Sequence, residues 1–470
     1  MTKNINNLFF IVMILVLAAC KLSKDFKTPE VSLQETYRNT TSTDTATIAD
    51  VNWKTFFVDT TLQKLINDAI ANNYDMQIAL QNIEGARLQL NQTKWAYFPN
   101  AALQITGNSN RPSANSLSGI SANAFLGTTH IEDFSANAAL SWEADIWGKI
   151  KKQKTGALAT YLQSEEARKW MQTNLVANVA EAYINLLMLD AQLAIAKRNI
   201  ALNDSTLDII RLQFEAGQVT ALAVQQVEAQ QLASTLLLPQ IERDITLQEN
   251  ALSILAGELP DRIERSSDMN KIITADSLSS GVPSELLSRR PDVKNYEYEL
   301  TRANAKVGIS KANMYPSLSI TATGGLNSFK ASNWFNIPAS LFGVVAGGIV
   351  QPVFQKKQLK TAYEMAKVER EKTVIQFRQS VISAVGEVSN ALVRVEKSKA
   401  EQSIALNRVQ TLQKAITNAN ILFSSGMANY LEVITAQRNA LQSELELAAI
   451  SREQLSAKMD LYRSLGGGWK

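Results

Sequence analysis

The chain has 470 residues, room for two or three domains, and its 47 basic and 44 acidic side chains leave a net charge of +3 without a basic arm. That balance argues against nucleic acid as a partner. One histidine, His130, and one cysteine, Cys20, exclude disulfides within the chain and the common zinc sites. No nucleophile–base pair, phosphate loop or metal cluster is visible, so the sequence reads neither as an enzyme nor as the holder of a cofactor.

At the start, Lys3 precedes an apolar run from Leu8 to Leu17 that ends in Leu17-Ala18-Ala19-Cys20. A positive beginning, a short apolar core and small residues before a cut read as a signal peptide over residues 1–19. About ten apolar residues are too few to span a bilayer. Residues 20–61 are polar, with Pro29 and many threonines, and read as an extended tether leading to Trp53 and Phe56-Phe57. A helix is predicted from about Leu62 to Tyr97, with Leu62, Leu65, Ile66, Ala69, Ile70, Ile78, Ala79, Ile83, Ala86 and Leu90 on its apolar face. Phe98-Pro99 stops it, since proline disfavours helix in the residue before it.

The apolar period then drops from about 3.6 to 2. Ala101, Leu103, Ile105 and Gly107 alternate with Ala102, Gln104 and Thr106; Ala136, Ala138, Leu140 and Trp142 alternate with Asn137, Ala139, Ser141 and Glu143. These are two strands within 99–143, separated by a Ser/Asn/Gly loop from Asn108 to Asp133. A helical hairpin over 149–257 follows. Leu175, Val179, Ala182, Leu186, Leu189, Leu193, Ala196, Ile200, Leu207, Ile210 and Phe214 keep a 3.5-residue step, with Asn203 on one rung. Gly217 ends that helix, and the return helix from near Ala221 is expected to kink at Pro239.

A polar connection over 261–283 leads to the second half, 284–470. It opens with Pro291 at the first turn of a helix and Asp292 at its positive end. Two strands within 316–351 follow, with Phe329, Trp334, Phe335 and Phe342 clustered at the loop between them. The last hairpin, 358–465, has a first helix from about Gln358 to Phe423. It is ~100 Å long at ~1.5 Å per residue, too long for a compact domain to enclose. Its seam runs through Val374, Phe377, Val381, Val385, Val388, Leu392 and Val395, then Ala405, Val409, Leu412, Ile416, Ala419 and Phe423. After Gly426 the return seam is predicted at Leu431, Ile434, Leu441, Leu445, Ala448, Leu455, Met459 and Tyr462, with Arg438 and Arg452 on two rungs.

The two halves, 62–260 and 284–470, are copies. Phe98-Pro99 and Tyr315-Pro316 are offset by 217 residues, as are Asp75 and Asp292; the bends Phe214-x-x-Gly217 and Phe423-x-x-Gly426 are offset by 209. Each half reads helix, two strands, long helix, glycine bend, long helix, so an internal duplication organises the fold. It is mainly α, with four strands per chain. Each strand has the length a tilted strand needs to cross a bilayer, although a small soluble sheet packed on helices would show the same alternation. Four strands cannot close a barrel, and lipid does not tolerate open edges; spanning strands would require several copies to share one barrel.

At the bends, Gly217 and Gly426 suit the left-handed residue that closes a helix. Thr220 and Asn429 stand where an N-cap is wanted, and Glu432 occupies the capping-box position after Asn429. Capping alone accounts for these residues; a second reading has Asn429 and Glu432 face a partner or a pore.

Six stretches, in order, carry a resemblance that runs from Cys20 to Trp469. They are Trp142-Glu143-x-Asp145-x-Trp147-Gly148-Lys149, Gly257-x-Leu259-Pro260, Leu287-x-Arg289-Arg290-Pro291-Asp292-Val293, Tyr315-Pro316-Ser317-Leu318, Gln351-Pro352-x-Phe354 and Leu461-Tyr462-Arg463-x-Leu465-Gly466-Gly467-Gly468-Trp469. The chain resembles the TolC-like outer membrane factors, in their lipoprotein branch. The resemblance implies a homotrimer with a twelve-stranded barrel in outer membrane lipid. Below it would lie a periplasmic helical tunnel docked on an adaptor and an inner-membrane pump of the resistance-nodulation-division type. Small molecules would leave the cell through it. The Leu17-Ala18-Ala19-Cys20 ending resembles a lipobox, which implies acylation of Cys20, and Lys21 after it permits the outer membrane. The resemblance also implies that Phe214, Gly217, Thr220, Phe423, Gly426 and Asn429 form the periplasmic tip that contacts the adaptor, with Glu432 at the pore constriction. One departure stands out. Members with a polar lock carry tyrosine and arginine where this chain has Phe423 and Ala428. A type I protein secretion outlet and a lipid-anchored coiled-coil scaffold are the competing functions, and no methionine or histidine cluster points to copper or silver as cargo.

If Cys20 is the acylated residue, a fatty-acid analogue supplied to growing cells is expected to label the wild type and not Cys20→Ala. Equal labelling of both would remove the anchor.

Overall fold

The computed structural model describes residues 34, 36, 37, 47–265, 269, 272, 273 and 280–470. The signal peptide and Cys20 lie outside the described residues. The chain forms two compact units, one containing 84–162 and 297–375, the other 30–83, 163–296 and 376–470.

In the first unit, β1 (Asn100–Asn110), β2 (Ile131–Ala144), β3 (Ser317–Ser328) and β4 (Leu341–Val350) form one antiparallel sheet in the order β1-β2-β3-β4. The strands coincide with the predicted alternation, and the two halves of the duplication join through β2 and β3. The β1–β2 connection, read as a plain loop, contains a short helix, Leu117–Ser121, continued by a wider turn to Leu126. The corner from β2 into the next helix explains the Trp142–Lys149 stretch. The Trp142 indole donates to the Tyr97 carbonyl at 2.9 Å, and the Trp147 indole donates to the Pro316 carbonyl at 2.6 Å. The Asp145 carboxylate accepts from the backbone N–H groups of Ile150 and Lys151 at 2.8 and 3.0 Å, capping the helix.

The helices are α1 (Thr60–Asn72), α2 (Tyr74–Trp95), α3 (Lys149–Glu215), α4 (Ala221–Thr235), α5 (Leu237–Leu255), α6 (Pro291–Ala312), α7 (Gln358–Ser424) and α8 (Tyr430–Ser464). α3 and α7 each have 67 residues, matching the predicted long arms. The predicted continuous helix from Leu62 to Tyr97 is instead two. Asn73 is extended and caps α2: its side-chain oxygen accepts from the Asp75 and Met76 N–H groups at 2.9 and 3.2 Å, while its amide donates to the Leu255 carbonyl at 3.0 Å. A buried asparagine with those three bonds outweighs continuity of the apolar face. The expected kink at Pro239 appears as the α4–α5 break at Leu236, because proline has no N–H for the Thr235 carbonyl four residues back.

The second unit holds the main core. The end of the expected tether is folded, not extended: Trp53–Phe56 is a helical turn, and Trp53, Phe56 and Phe57 are buried. They pack with Leu62 and Ile66 of α1, Tyr183 and Ile184 of α3, Val381 of α7 and Met459 of α8. The Phe56 and Tyr462 rings stack at 4.2 Å, and the Tyr462 hydroxyl donates to the Val51 carbonyl at 2.7 Å. Burial pushes the Tyr462 phenol above its usual range. Among the described residues of the 261–283 connection, expected to be polar, Ile263 and Ile272 are buried and Ile273 bridges to Phe57.

Arg290, from the Arg-Arg-Pro-Asp stretch, is the largest fully buried side chain among the described residues. It makes a two-pronged pair with Asp292 at 2.9 and 2.7 Å, pairs with Glu387 at 2.8 Å, donates to the Ser464 carbonyl at 3.0 Å and lies 5.5 Å from the centre of the Trp170 ring. Burial works against its charge, but the two carboxylates outweigh it and hold its pKa above the ordinary arginine value. Arg290 thus ties α6, α7 and the end of α8 together. Beyond α8, a side chain on Gly467 would come within 2.4 Å of the Tyr462 ring, so the glycine run is a close-approach requirement.

Arg290→Met is expected to cost about 3 kcal/mol in an unfolding measurement, because it leaves two carboxylates and a buried carbonyl without their partner. Arg302→Ala, which removes a half-exposed pair with Glu299, is expected to cost under about 1 kcal/mol. Equal losses would show that burial of Arg290 is not what matters.

Candidate functional site

Two places collect the candidate residues: the glycine bends of the second unit and the faces of the sheet in the first.

Both bends close in the same way. The Gly217 N–H donates to the Phe214 carbonyl at 2.9 Å and the Gln218 N–H to the Gln213 carbonyl at 2.8 Å. Gly426 and Met427 repeat this with Phe423 at 3.1 Å and Leu422 at 2.9 Å. The two glycines have φ of +71° and +74°, a conformation that favours glycine. The starts of the return helices differ. The Asn429 side-chain oxygen accepts from the Leu431 and Glu432 N–H groups at 2.9 and 3.4 Å. Thr220 stands at the cap position of α4, but its hydroxyl makes no capping bond, so that half of the capping expectation fails. The capping box also fails: the Glu432 carboxylate does not reach back to Asn429 and is exposed, without a hydrogen-bond or ion-pair partner among the described residues. Farther along α8 the glutamates are engaged, Glu444 with Arg198 and Glu446 with Arg408, both at 2.7 Å. Glu432 shares an open groove with Leu412, Ala415, Asn429 and Thr435.

Phe423 packs against a small core of Leu207, Ile210, Ala223 and Val227, beside Tyr430 and Ile434. Phe214 does not join it and is 46% exposed. The predicted α8 seam holds at Ile434 and Leu441 but not at Leu431 and Arg438, which are exposed, while Val433, Gln437 and Ala440 are buried as well. α8 packs here on α4 as well as α7, and this second neighbour widens the buried stripe. Gln437 donates to the Thr206 hydroxyl at 3.0 Å, and the Tyr430 hydroxyl donates to Gln226 at 2.6 Å. Sequence reading missed both links. Gln437 lay outside the predicted seam, whose polar rung at this height was Arg438, and Tyr430 carried no sign beyond its place after the cap.

In the sheet, residues directly opposite one another share a face. The pairing puts Leu103 and Ile105, Leu140 and Trp142, Leu318 and Ile320, and Val345 and Ile349 on one side. Gln104, Thr106, Asn137, Ser141, Glu143, Ser319 and Thr321 lie on the other. Leu103 is 87% and Val345 79% exposed, so the apolar side has no cover among the described residues. The aromatic cluster extends this side: Trp334 lies 5.7 Å from Phe134 and 5.1 Å from Phe335. Phe342, expected in the cluster, belongs to the opposite face, where it pairs in register with Gly325.

A sheet with one bare apolar face and one polar face, carried by long helical hairpins, defines a membrane β-protein. Residues 65–258 and 282–467 match the family described as outer membrane efflux protein. The chain is 29% identical over its whole length to the probable efflux pump outer membrane protein TtgC of Pseudomonas putida, covering 96% of that protein. It is 25% identical to the probable outer membrane lipoprotein SilC of Salmonella typhimurium, with 97% of each chain covered. The solved structure of CusC, described in terms of folding and transmembrane channel formation, superposes with a TM-score of 0.84 at 25% identity, covering 96% of this chain and all of the other. The chain belongs to the outer membrane efflux protein family and serves as an outer membrane efflux channel.

Asn429→Ala is expected to weaken the start of α8 by about 1 kcal/mol, speeding amide exchange at Leu431 and Glu432 about fivefold. Thr220→Ala, with no capping bond to lose, is expected to leave exchange at the start of α4 unchanged.

Proposed function

We propose that three copies of the chain close a twelve-stranded barrel in the outer membrane and continue it as a helical tunnel through the periplasm. There the tunnel receives small molecules from an inner-membrane pump through a periplasmic adaptor. The observation that carries this reading is the sheet: two edges, β1 and β4, with no partner among the described residues, on a surface whose apolar side is bare. Edges in lipid have to be paired, and β1 and β4 run in opposite directions, so β4 of one copy offers an antiparallel partner to β1 of the next. Anchoring of Cys20 by lipid belongs to the same proposal. It is supported by the Leu17-Ala18-Ala19-Cys20 ending and by likeness to a protein named as a probable outer membrane lipoprotein.

The bends at Gly217 and Gly426 are the tip that meets the adaptor, with Phe214, Thr220, Phe423 and Asn429 around them. Glu432 lines the constriction. Its carboxylate is exposed and has no partner among the described residues, on the open side of the hairpin, and three copies on a narrow ring would concentrate negative potential and favour cations. Phe423 packs into its own chain's tip and Ala428 offers no charge, so the ring of carboxylates has no arginine lock to oppose it.

The test is planar-bilayer recording of purified protein. Wild type is expected to give channel steps that favour cations and are blocked by divalent ions. Glu432→Gln is expected to keep the steps while losing much of the selectivity and the block. Steps with unchanged selectivity would leave Glu432 at the start of α8 with no part in the pore, and absence of any step in wild type would sink the channel itself.

A further inference from the structure

The places where helix meets sheet in the first unit are rich in lysine. Residues 149–160, at the start of α3, hold four lysines and no carboxylate; residues 353–363, leading into α7, hold three and none. α2 and α6 carry Lys94 and Lys311 in their last turns, each the last charged residue before the strand that follows. The duplication repeats the pattern position by position. Lys94 and Lys311 are offset by 217 residues, Lys151 and Lys360 by 209. A lysine in the last turn of α2 or α6 complements the helix dipole, but a lysine in the first turn of α3 or α7 opposes it. Helix stability therefore does not account for the second pair. The nearby carboxylates are engaged, Glu143 with Lys149 at 3.0 Å and Asp145 with the first N–H groups of α3.

The geometry of α3 tells on which side Lys151 stands. Lys149 reaches Glu143, which lies on the polar face of the sheet. Lys151 is two residues on, about 200° around the helix, so it leaves on the opposite, apolar side. It is exposed and has no ion pair among the described residues, and the same holds for its counterpart Lys360. Trp142 marks this height on the apolar face, where its indole donates to the Tyr97 carbonyl. A tryptophan with an apolar body and a polar edge belongs at a membrane–water boundary. Strands of about ten residues fill the hydrocarbon layer, so helix residues within two or so turns of the strand ends fall among lipid headgroups.

We infer that Lys151 and Lys360, with Lys94 and Lys311 at the same height, form a basic collar that gathers anionic phospholipid headgroups from the periplasmic leaflet of the outer membrane. The inference rests on the shared-barrel reading above and adds a lipid preference to it. Because the two repeats place their lysines alike, the collar runs around the whole ring instead of marking one spot. Ammonium groups on flexible stems suit such a surface: they act as point charges on phosphate and demand no fixed geometry. The attraction is electrostatic, so salt screens it.

The test reconstitutes the purified protein in phosphatidylcholine vesicles. Electron spin resonance of chain-labelled lipids then measures how strongly phosphatidylglycerol and phosphatidylcholine associate with it. Phosphatidylglycerol is expected to associate about threefold more strongly, and high salt to remove the preference. The fourfold variant Lys94→Gln, Lys151→Gln, Lys311→Gln, Lys360→Gln is expected to lose the preference, and arginine at the same four places to keep it. Lys149→Gln, on the polar side, is expected to keep it too. Equal association of both lipids with wild type, or full preference in the glutamine variant, would overturn the collar. If that variant fails to insert, wild type decides alone, since a preference that survives high salt is not the work of lysines. Channel steps from the same preparations separate the two readings. Steps without a lipid preference overturn the collar and leave the barrel standing; no steps in wild type mean that the barrel reading itself has failed. Altered ion selectivity with an unchanged lipid preference in the glutamine variant would put these lysines in the pore and end the inference.

Discussion

Everything in the chain answers to the backbone of four strands. An N–H or C=O group facing lipid without a partner costs several kcal/mol, so a membrane sheet is tolerated only if its edges are paired. Each internal ladder here is satisfied along ten or more residues. The outer sides of β1 and β4 have no ladder partner among the described residues. The apolar side of the sheet adds the same demand from its side chains. A soluble sheet would cover such a face with helices; this one leaves Leu103 and Val345 bare.

The duplication is what lets one short sheet carry so much helix. Each repeat contributes two strands and a hairpin with a 67-residue arm, and the two corners leading from strand to arm are built differently. The first is tightened by Gly148 at φ +71° and capped by Asp145. The second turns through Lys356 and Lys357, both left-handed without being glycine, while Gln351 holds the Met314 carbonyl at 3.1 Å. Left-handed backbone at two successive lysines is unfavourable locally, so it is imposed by the strand and helix on either side. Copies of one unit have kept the architecture and changed the chemistry at the joints.

How much of this could be read from the residues alone differs by feature. Length and period are sums over many side chains, and they showed plainly: two long arms, four alternating strands, two glycine bends at matching places. The Gly217 and Gly426 bends were legible because a left-handed residue needs glycine. What stayed hidden depends on single contacts with distant partners. Asn73 splits a helix because the Leu255 carbonyl waits beside it. Arg290 is buried because Asp292, Glu387 and Ser464 converge on it. The phase of α8 was misread at Leu431 and Arg438 since a helix touching two neighbours buries more than one seam. Thr220 and Asn429 looked equivalent as caps, and only Asn429 has its side-chain oxygen turned to the free N–H groups.

The polar rungs inside the arms follow from that same length. A seam repeating every seven residues over so many turns has alternatives: slipping one arm past another by seven residues would match apolar faces almost as well. Buried Asn203 removes that freedom. Its amide donates to Asn199 at 3.0 Å and to Ser234 at 2.8 Å, and Ser234 donates back to Asn199 at 3.1 Å. Gln437 and Thr206 form a second link of this kind between α8 and α3. A slip by one heptad would set these groups against apolar side chains, each left without its hydrogen bond at about 1–3 kcal/mol. An apolar residue at each place would bind the arms more tightly in any register; the polar ones give up some stability to single out one.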